Sequence, residues 1–194
     1  MTYLVGLQGV KGVGKTTTAN FLKNHFNGIG LAAEVDSFAT PVYEIASVLT
    51  GESVDDIKLN KTKQYSAFDK HAPSVSPVFW GMTRRGLLQQ IGTEVFRESF
   101  NHDVWASILC HRLSGSASLI VVVDDNRFQN EVEYLDLTIR IKRKLLSDGV
   151  GDFHPSENQE IECDHEFDLD NKDLNELAEL ILYELGLDQW TRDL

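Results

Sequence analysis

Basic residues are scarce in this chain: 18 lysines and arginines stand against 30 aspartates and glutamates, a formal charge of −12. That balance repels the phosphate backbone of a long nucleic acid unless the cations share one face, so a small phosphorylated substrate suits it better. Cysteine is scarce too. Cys110 and Cys163 lie far apart without C-x-x-C spacing, which argues against a disulfide framework and reads as structural thiols in a reducing compartment. No apolar run approaches the length that spans a bilayer, and neither end carries a charged-then-apolar signal segment, so a cytoplasmic setting is expected. No linker, repeat or low-complexity tract breaks the chain, and one domain is the default for 194 residues.

What is present begins with Gly9-Val10-Lys11-Gly12-Val13-Gly14-Lys15-Thr16, a complete G-x-x-x-x-G-K-[ST] phosphate loop. It follows an apolar strand-like run, Tyr3 to Leu7, and precedes a helical pattern. Backbone N–H groups of a glycine-rich turn at a helix N-terminus converge on one concavity and favour an anion there. Gly12, Val13, Gly14, Lys15, Thr16 and Thr17 are therefore expected around the phosphates of a nucleoside triphosphate, with Lys15 adding charge and the Thr16 hydroxyl serving Mg²⁺.

Strand and helix patterns alternate along the rest of the chain. Strands are expected at 4–8, 31–35, 119–123, 137–141 and 166–169, and helices from Thr16, around 43–49, over 87–95, after Asn101 and from Leu174 to Leu185. Leu119 to Val123 is continuously apolar and β-branched, as in a strand buried on both faces of a parallel sheet. The order predicts an α/β fold, a three-layer doubly wound parallel sheet of five strands in one domain over residues 1–194. The polar stretch at 51–80 reads as an insertion. Ligands of such folds sit at the carboxyl ends of the strands, which brings Asp36, the Asp124-Asp125 pair and Arg143 toward the phosphate-loop rim.

Paired acids at the end of a buried strand fit a carboxylate that holds Mg²⁺ or its water in a phosphate-loop enzyme. Ordered motifs then carry a family resemblance. Met82-Thr83-Arg84-Arg85-Gly86-Leu87-Leu88-Gln89-Gln90-Ile91-Gly92-Thr93-Glu94, continuing to Arg97 and Asp103-Val104-Trp105, resembles the signature of the bacteriophage-type deoxynucleoside monophosphate kinases. Asp125-Asn126-Arg127-Phe128-Gln129-Asn130-Glu131, Ser37-Phe38-Ala39-Thr40-Pro41 and His154-Pro155-Ser156-Glu157 are similar to its shorter elements.

The resemblance implies transfer of the γ-phosphoryl of ATP to the 5′-phosphate of a deoxynucleotide, with Mg²⁺. It implies catalytic roles for Lys15, Asp125, Arg127 and Arg143, with Thr16 and Asp125 at the metal. The acceptor nucleotide would meet Lys11, Asp36, Val42, Tyr43, Arg85, Gln89, Arg97, Trp105 and Arg127. Several arginines are needed to neutralise two phosphate clusters, because a guanidinium grips phosphate oxygens in pairs and stays charged. The basic run Arg140 to Lys144 opens the expected lid at 142–157, which would bring Arg143, His154 and Glu157 over ATP. Trp105 also fits a core position beside Ile108 and Leu109. Small nucleotides are the expected partners, without membrane or long nucleic acid; a homodimer is compatible with this reading, as is a bacterial cell or phage-infected host.

Four positions depart from the family pattern. Tyr43 stands where relatives commonly have lysine, Arg84 where proline is frequent, and Asn126 and Gln129 replace an apolar residue and a proline. Two rival readings stay open: a non-catalytic nucleotide switch, and a kinase acting on a nucleotide within DNA or on another phosphorylated metabolite. The first lacks a base-reading motif of the N-K-x-D type, since Asn60-Lys61-Thr62-Lys63 ends in lysine.

Overall fold

The β-branched run near position 120 forms a strand buried at every residue, at the interior of a five-stranded parallel sheet. The structure is a computed structural model that describes residues 2–71, 75–143 and 161–191. Its strands are β1 (Tyr3–Gln8), β2 (Ala33–Asp36), β3 (Ile120–Val123), β4 (Leu137–Lys142) and β5 (His165–Asp168), in the spatial order β2-β3-β1-β4-β5. All four pairings are parallel, so each connection must cross back over the sheet, and helices cover both of its faces.

Parity along the strands decides what each face meets. Val5, Leu7, Ile120, Val122, Leu137, Ile139 and Ile141 form one core with α1 (Lys15–Gly28) and α7 (Leu174–Glu184), through Leu22, Phe26, Leu177 and Ile181. Leu4, Val121 and Val123, of the opposite parity, are buried on the other face. α7 starts where Asp173 accepts the Asn175 amide at 3.0 Å, and its carboxyl lies below the usual range for that reason.

Two compact units divide the chain: residues 1–38 with 109–194, which hold the sheet, and residues 39–108. One boundary follows Phe38 and the other falls inside α5 (Val104–Leu113). The second unit contains α2 (Thr40–Thr50), α3 (Val54–Leu59), α4 (Arg84–Gln89) and a π-helical turn, Gln90–Val95, continuing α4. The stretch at 51–80, expected as a polar insertion, has its own buried centre: Ile57 and Tyr65 are within 1% of full burial.

That centre is ionic. The Arg84 guanidinium is fully buried, donating from Nε to both Glu52 carboxylate oxygens at 2.7 and 2.8 Å, from Nη2 to Asp69 at 2.5 Å and from Nη1 to the Lys63 carbonyl. It lies 4.4 Å from the centre of the Tyr65 ring. Burial works against its charge, but the Asp69 and Glu52 carboxylates outweigh that and raise its pKa. Among the described residues no helix is long and apolar enough to cross a membrane.

Candidate active site

Gly9 leaves β1 with φ +139°, and a Cβ there would stand 2.6 Å from the Ile141 carbonyl oxygen, so only glycine fits. Four residues on, the fully buried Val13 side chain anchors the loop in the core. Gly14, at φ 111°, is the N-cap of α1 and offers no side-chain cap, and no acidic residue occupies the first turn. First-turn amides lack acceptors within their own helix, so Lys15, Thr16 and Thr17 open toward an anion-favouring end. The Lys15 ammonium folds over the loop, donating to the Gly9 carbonyl at 2.6 Å and the Val10 carbonyl at 3.1 Å. Lys11 and Gly12 are exposed on the loop.

The Thr16 hydroxyl donates to Asp124 Oδ2 at 2.6 Å. The sequence reading puts Asp125 there, and the structure differs because side chains alternate. Asp124 continues the parity of Ile120 and Val122, the face packed by α1, whereas Asp125 follows Val121 and Val123. Asp125 instead accepts the Phe38 amide at 2.8 Å and ties the end of β3 to the loop after β2.

Arg127 projects at the surface from the segment leading into α6 (Gln129–Val132). Its position is set by Glu131, a residue 1% exposed whose Oε2 accepts the amides of Arg127 at 2.7 Å and Phe128 at 3.1 Å. Asn126 is 3% exposed, with both atoms of its side-chain amide buried and unpartnered among the described residues, and the exposed Gln129 accepts the Glu162 amide at 3.0 Å. Asp36 is held by an ion pair from Arg112 Nη2 and accepts the Ser37 amide at 2.7 Å. Arg112 escaped the sequence reading because its partner is 76 residues away and no motif joins them.

The basic run at the end of β4 splits in use. Arg140 and Lys142 both bind Glu166 on β5, and the Lys142 hydrogen bond chiefly holds the Glu166 carboxyl below its usual range. Arg143 Nε lies 3.6 Å from Asp170 Oδ1. His154 and Glu157, and all of the expected lid beyond Arg143, lie outside the described residues.

In the second unit, Thr83 caps α4 by accepting the Gly86 amide at 3.0 Å, and the Arg85 amide donates to the Lys61 carbonyl at 2.8 Å. Arg85 and Gln89 are half-buried on α4. Val42 is buried against Gly92 of the π-helical turn. Arg97 is 6% exposed and donates to the His102 carbonyl at 3.0 Å. Trp105, offered as a base-stacking residue, is 2% exposed; its indole donates to the Gly92 carbonyl at 2.7 Å and packs on Phe96. A ring so enclosed has no face left for a base.

Cys110 and Cys163 are both unbonded, and burial pushes the Cys110 thiol up. Near Cys163, Asp164 accepts the Thr138 amide and hydroxyl at 2.7 and 2.8 Å, and His165 contacts Glu184. Among the described residues no cluster of three or more His, Cys, Asp or Glu side chains could hold a metal ion.

No family model matches the chain. Two curated proteins do: a putative deoxynucleotide monophosphate kinase of Acanthamoeba polyphaga mimivirus, 28% identical over 79% of this chain and 80% of that protein, and a deoxynucleoside-5′-monophosphate kinase of Escherichia phage T5, 26% identical over 70% and 72%. The APS kinase of Mycobacterium tuberculosis, solved in complex with AMPPNP and APS, shares the fold at 11% identity, with a TM-score of 0.50 over 95% of this chain and 98% of that one. Motifs, sheet order and relatives agree: the chain resembles curated deoxynucleoside monophosphate kinases of a giant virus and a phage, and its fold is that of the P-loop kinases.

Proposed function

We propose that this protein transfers the γ-phosphoryl group of ATP to the 5′-phosphate of a deoxynucleoside monophosphate, yielding ADP and the deoxynucleoside diphosphate. The observation that carries the reading is the Thr16 hydroxyl against the Asp124 carboxylate beside the N-terminus of α1. A hydroxyl and a carboxylate are hard oxygen donors, and Mg²⁺ takes one or two such protein groups together with substrate phosphates and water. Bound there, Mg²⁺ would neutralise charge on the β- and γ-phosphates. Thr16 and Asp124 would hold it, in place of the Asp125 that the sequence suggests.

The remaining work falls to the chain's own groups. Lys15 would exchange its loop carbonyls for phosphate oxygens, and the loop amides would orient the triphosphate for in-line attack. An oxygen of the acceptor phosphate forms the new P–O bond as the bond to the β-phosphate oxygen breaks, and ADP leaves. A phosphomonoester is largely dianionic at neutral pH, with its second pKa near ~6. The nucleophile therefore arrives deprotonated, and no side chain is needed as a general base. Charge neutralisation is what remains, a task suited to Arg85 and Arg127 at the acceptor and Arg143 at the transferring group.

A coupled ADP-release assay over the four deoxynucleoside monophosphates, their deoxynucleosides, DNA oligonucleotides and no acceptor tests this. Release stimulated by monophosphates alone is expected. Stimulation by DNA alone would favour the kinase acting within DNA, and nucleotide binding without release would favour a switch.

A further inference from the structure

Of the four departures from the family pattern, Arg84 is enclosed by carboxylates, Asn126 is buried and Gln129 accepts a backbone amide, whereas Tyr43 meets two lysines. Tyr43 lies in the first half of α2, partly exposed, and two ammonium groups rest on its ring: Lys58 Nζ at 5.3 Å and Lys61 Nζ at 5.2 Å from the centroid. Neither lysine makes an ion pair among the described residues. The nearby acid Asp56 is engaged by Ser53 and His71. The Lys61 carbonyl accepts the Arg85 amide at 2.8 Å, which fixes this segment to the start of α4, and α2 packs on both α3 and α4.

Two like charges on one ring repel, and a cation–π contact at an exposed site offsets that only weakly. In a chain of net charge −12, two cations that make no ion pair among the described residues are suited to a small dianion. No acidic residue stands in the first turn of α2, whose N-terminal end adds positive potential. The aromatic ring also restrains long side chains that would otherwise sample many rotamers.

We propose that Lys61, with Lys58, binds the phosphomonoester of the acceptor nucleotide, and that Tyr43 is the platform that preorganises them. The inference rests on the kinase reading above. Arg85 would bind the same phosphate from α4.

Calorimetric titrations of the wild type and of the Lys58→Gln/Lys61→Gln double variant test it, with each deoxynucleoside monophosphate, its unphosphorylated deoxynucleoside and ATP. Both lysines are at the surface, so the variant should fold. Monophosphate affinity should fall by about tenfold or more while ATP and deoxynucleoside affinities stay within about twofold. Lys61→Arg should retain most of the affinity, and Tyr43→Leu should lose part of it. A double variant that binds monophosphates within about twofold of wild type overturns the proposal, with the kinase reading intact if the wild type phosphorylates them. A wild type that neither binds nor phosphorylates monophosphates removes both.

Discussion

Thr16 and Asp124 meet hydroxyl to carboxylate at 2.6 Å, joining the first turn of α1 to the end of the buried strand β3. The adjacent Asp125 turns to the opposite side and accepts the Phe38 amide. Asp124→Asn should therefore lower kcat by about 10² or more, with a raised Mg²⁺ requirement, as expected for loss of a preorganised charge at the reacting phosphates. Asp125→Ala, which removes the acceptor of the Phe38 amide, should act mainly on stability, at about 1–2 kcal/mol. Steady-state rates across a Mg²⁺ titration, with thermal melts of both variants, separate the two; the reverse ranking would return the metal role to Asp125.

Gly9→Ala places a methyl group 2.6 Å from the Ile141 carbonyl at a backbone φ of +139°. The loop must shift to accommodate it, at about 1–3 kcal/mol or more. ATP affinity should fall sharply, because the loop amides lose their common aim. Gly12→Ala adds no clash, though φ there is 82°, and should be milder in stability. Nucleotide titrations and melts of both variants check this; equal effects would mean that strain at φ, not the Ile141 contact, dominates.

Glu131 touches two amides and no expected ligand, so it is a positioning residue for Arg127. Glu131→Gln keeps an acceptor and should be tolerated, whereas Glu131→Ala leaves two amides in a buried setting and should cost about 1–3 kcal/mol. If Arg127 grips the acceptor, Glu131→Ala should also raise KM for the monophosphate while KM for ATP stays unchanged. A matching change in both constants would mark the role as structural only.

The Arg84 cluster gives the second unit a pH signature. Burial opposes ionisation of Asp69, yet the Arg84 hydrogen bond prevails and holds its carboxyl below the usual 3.8. A depressed folded-state pKa contributes stability above the unfolded value, lost as pH falls through the folded one. Tyr65 sets the alkaline edge: burial first, then the Glu52 charge, pushes its phenol from 10.0 to about 12. That raised pKa contributes stability below pH 10.0, lost as pH rises toward about 12. Tyr65→Phe should flatten the alkaline loss in denaturation midpoints, and Arg84→Met should cost about 3–5 kcal/mol by leaving Glu52 and Asp69 uncompensated.

Local pattern made the sheet readable. A continuous β-branched run, a glycine-rich turn and a following amphipathic helix each reflect short-range rules, and the five strands lie within two residues of where the pattern puts them. Burial of charge was not readable in the same way. Arg84 looks like a surface cation until Glu52 and Asp69, 32 and 15 residues distant, close on it. For the aspartate pair, motif order names Asp125, whereas the face of β3 packed by α1 carries Asp124, and it is Asp124 that meets the Thr16 hydroxyl. Trp105 kept both readings open because an indole suits a core and a base equally, and only the Gly92 carbonyl decides between them.

The account stands most directly on one reaction. ATP and a deoxynucleoside monophosphate, incubated with the wild type and with Lys15→Ala, are to be followed by ³¹P NMR for the new β-phosphate of the deoxynucleoside diphosphate. Lys15 is partly exposed over its loop, so its loss should leave the melting temperature nearly unchanged. The account predicts stoichiometric diphosphate and ADP with the wild type and none with the folded Lys15→Ala variant. ATP consumption without deoxynucleoside diphosphate for any of the four bases, or equal product from the variant, would contradict it.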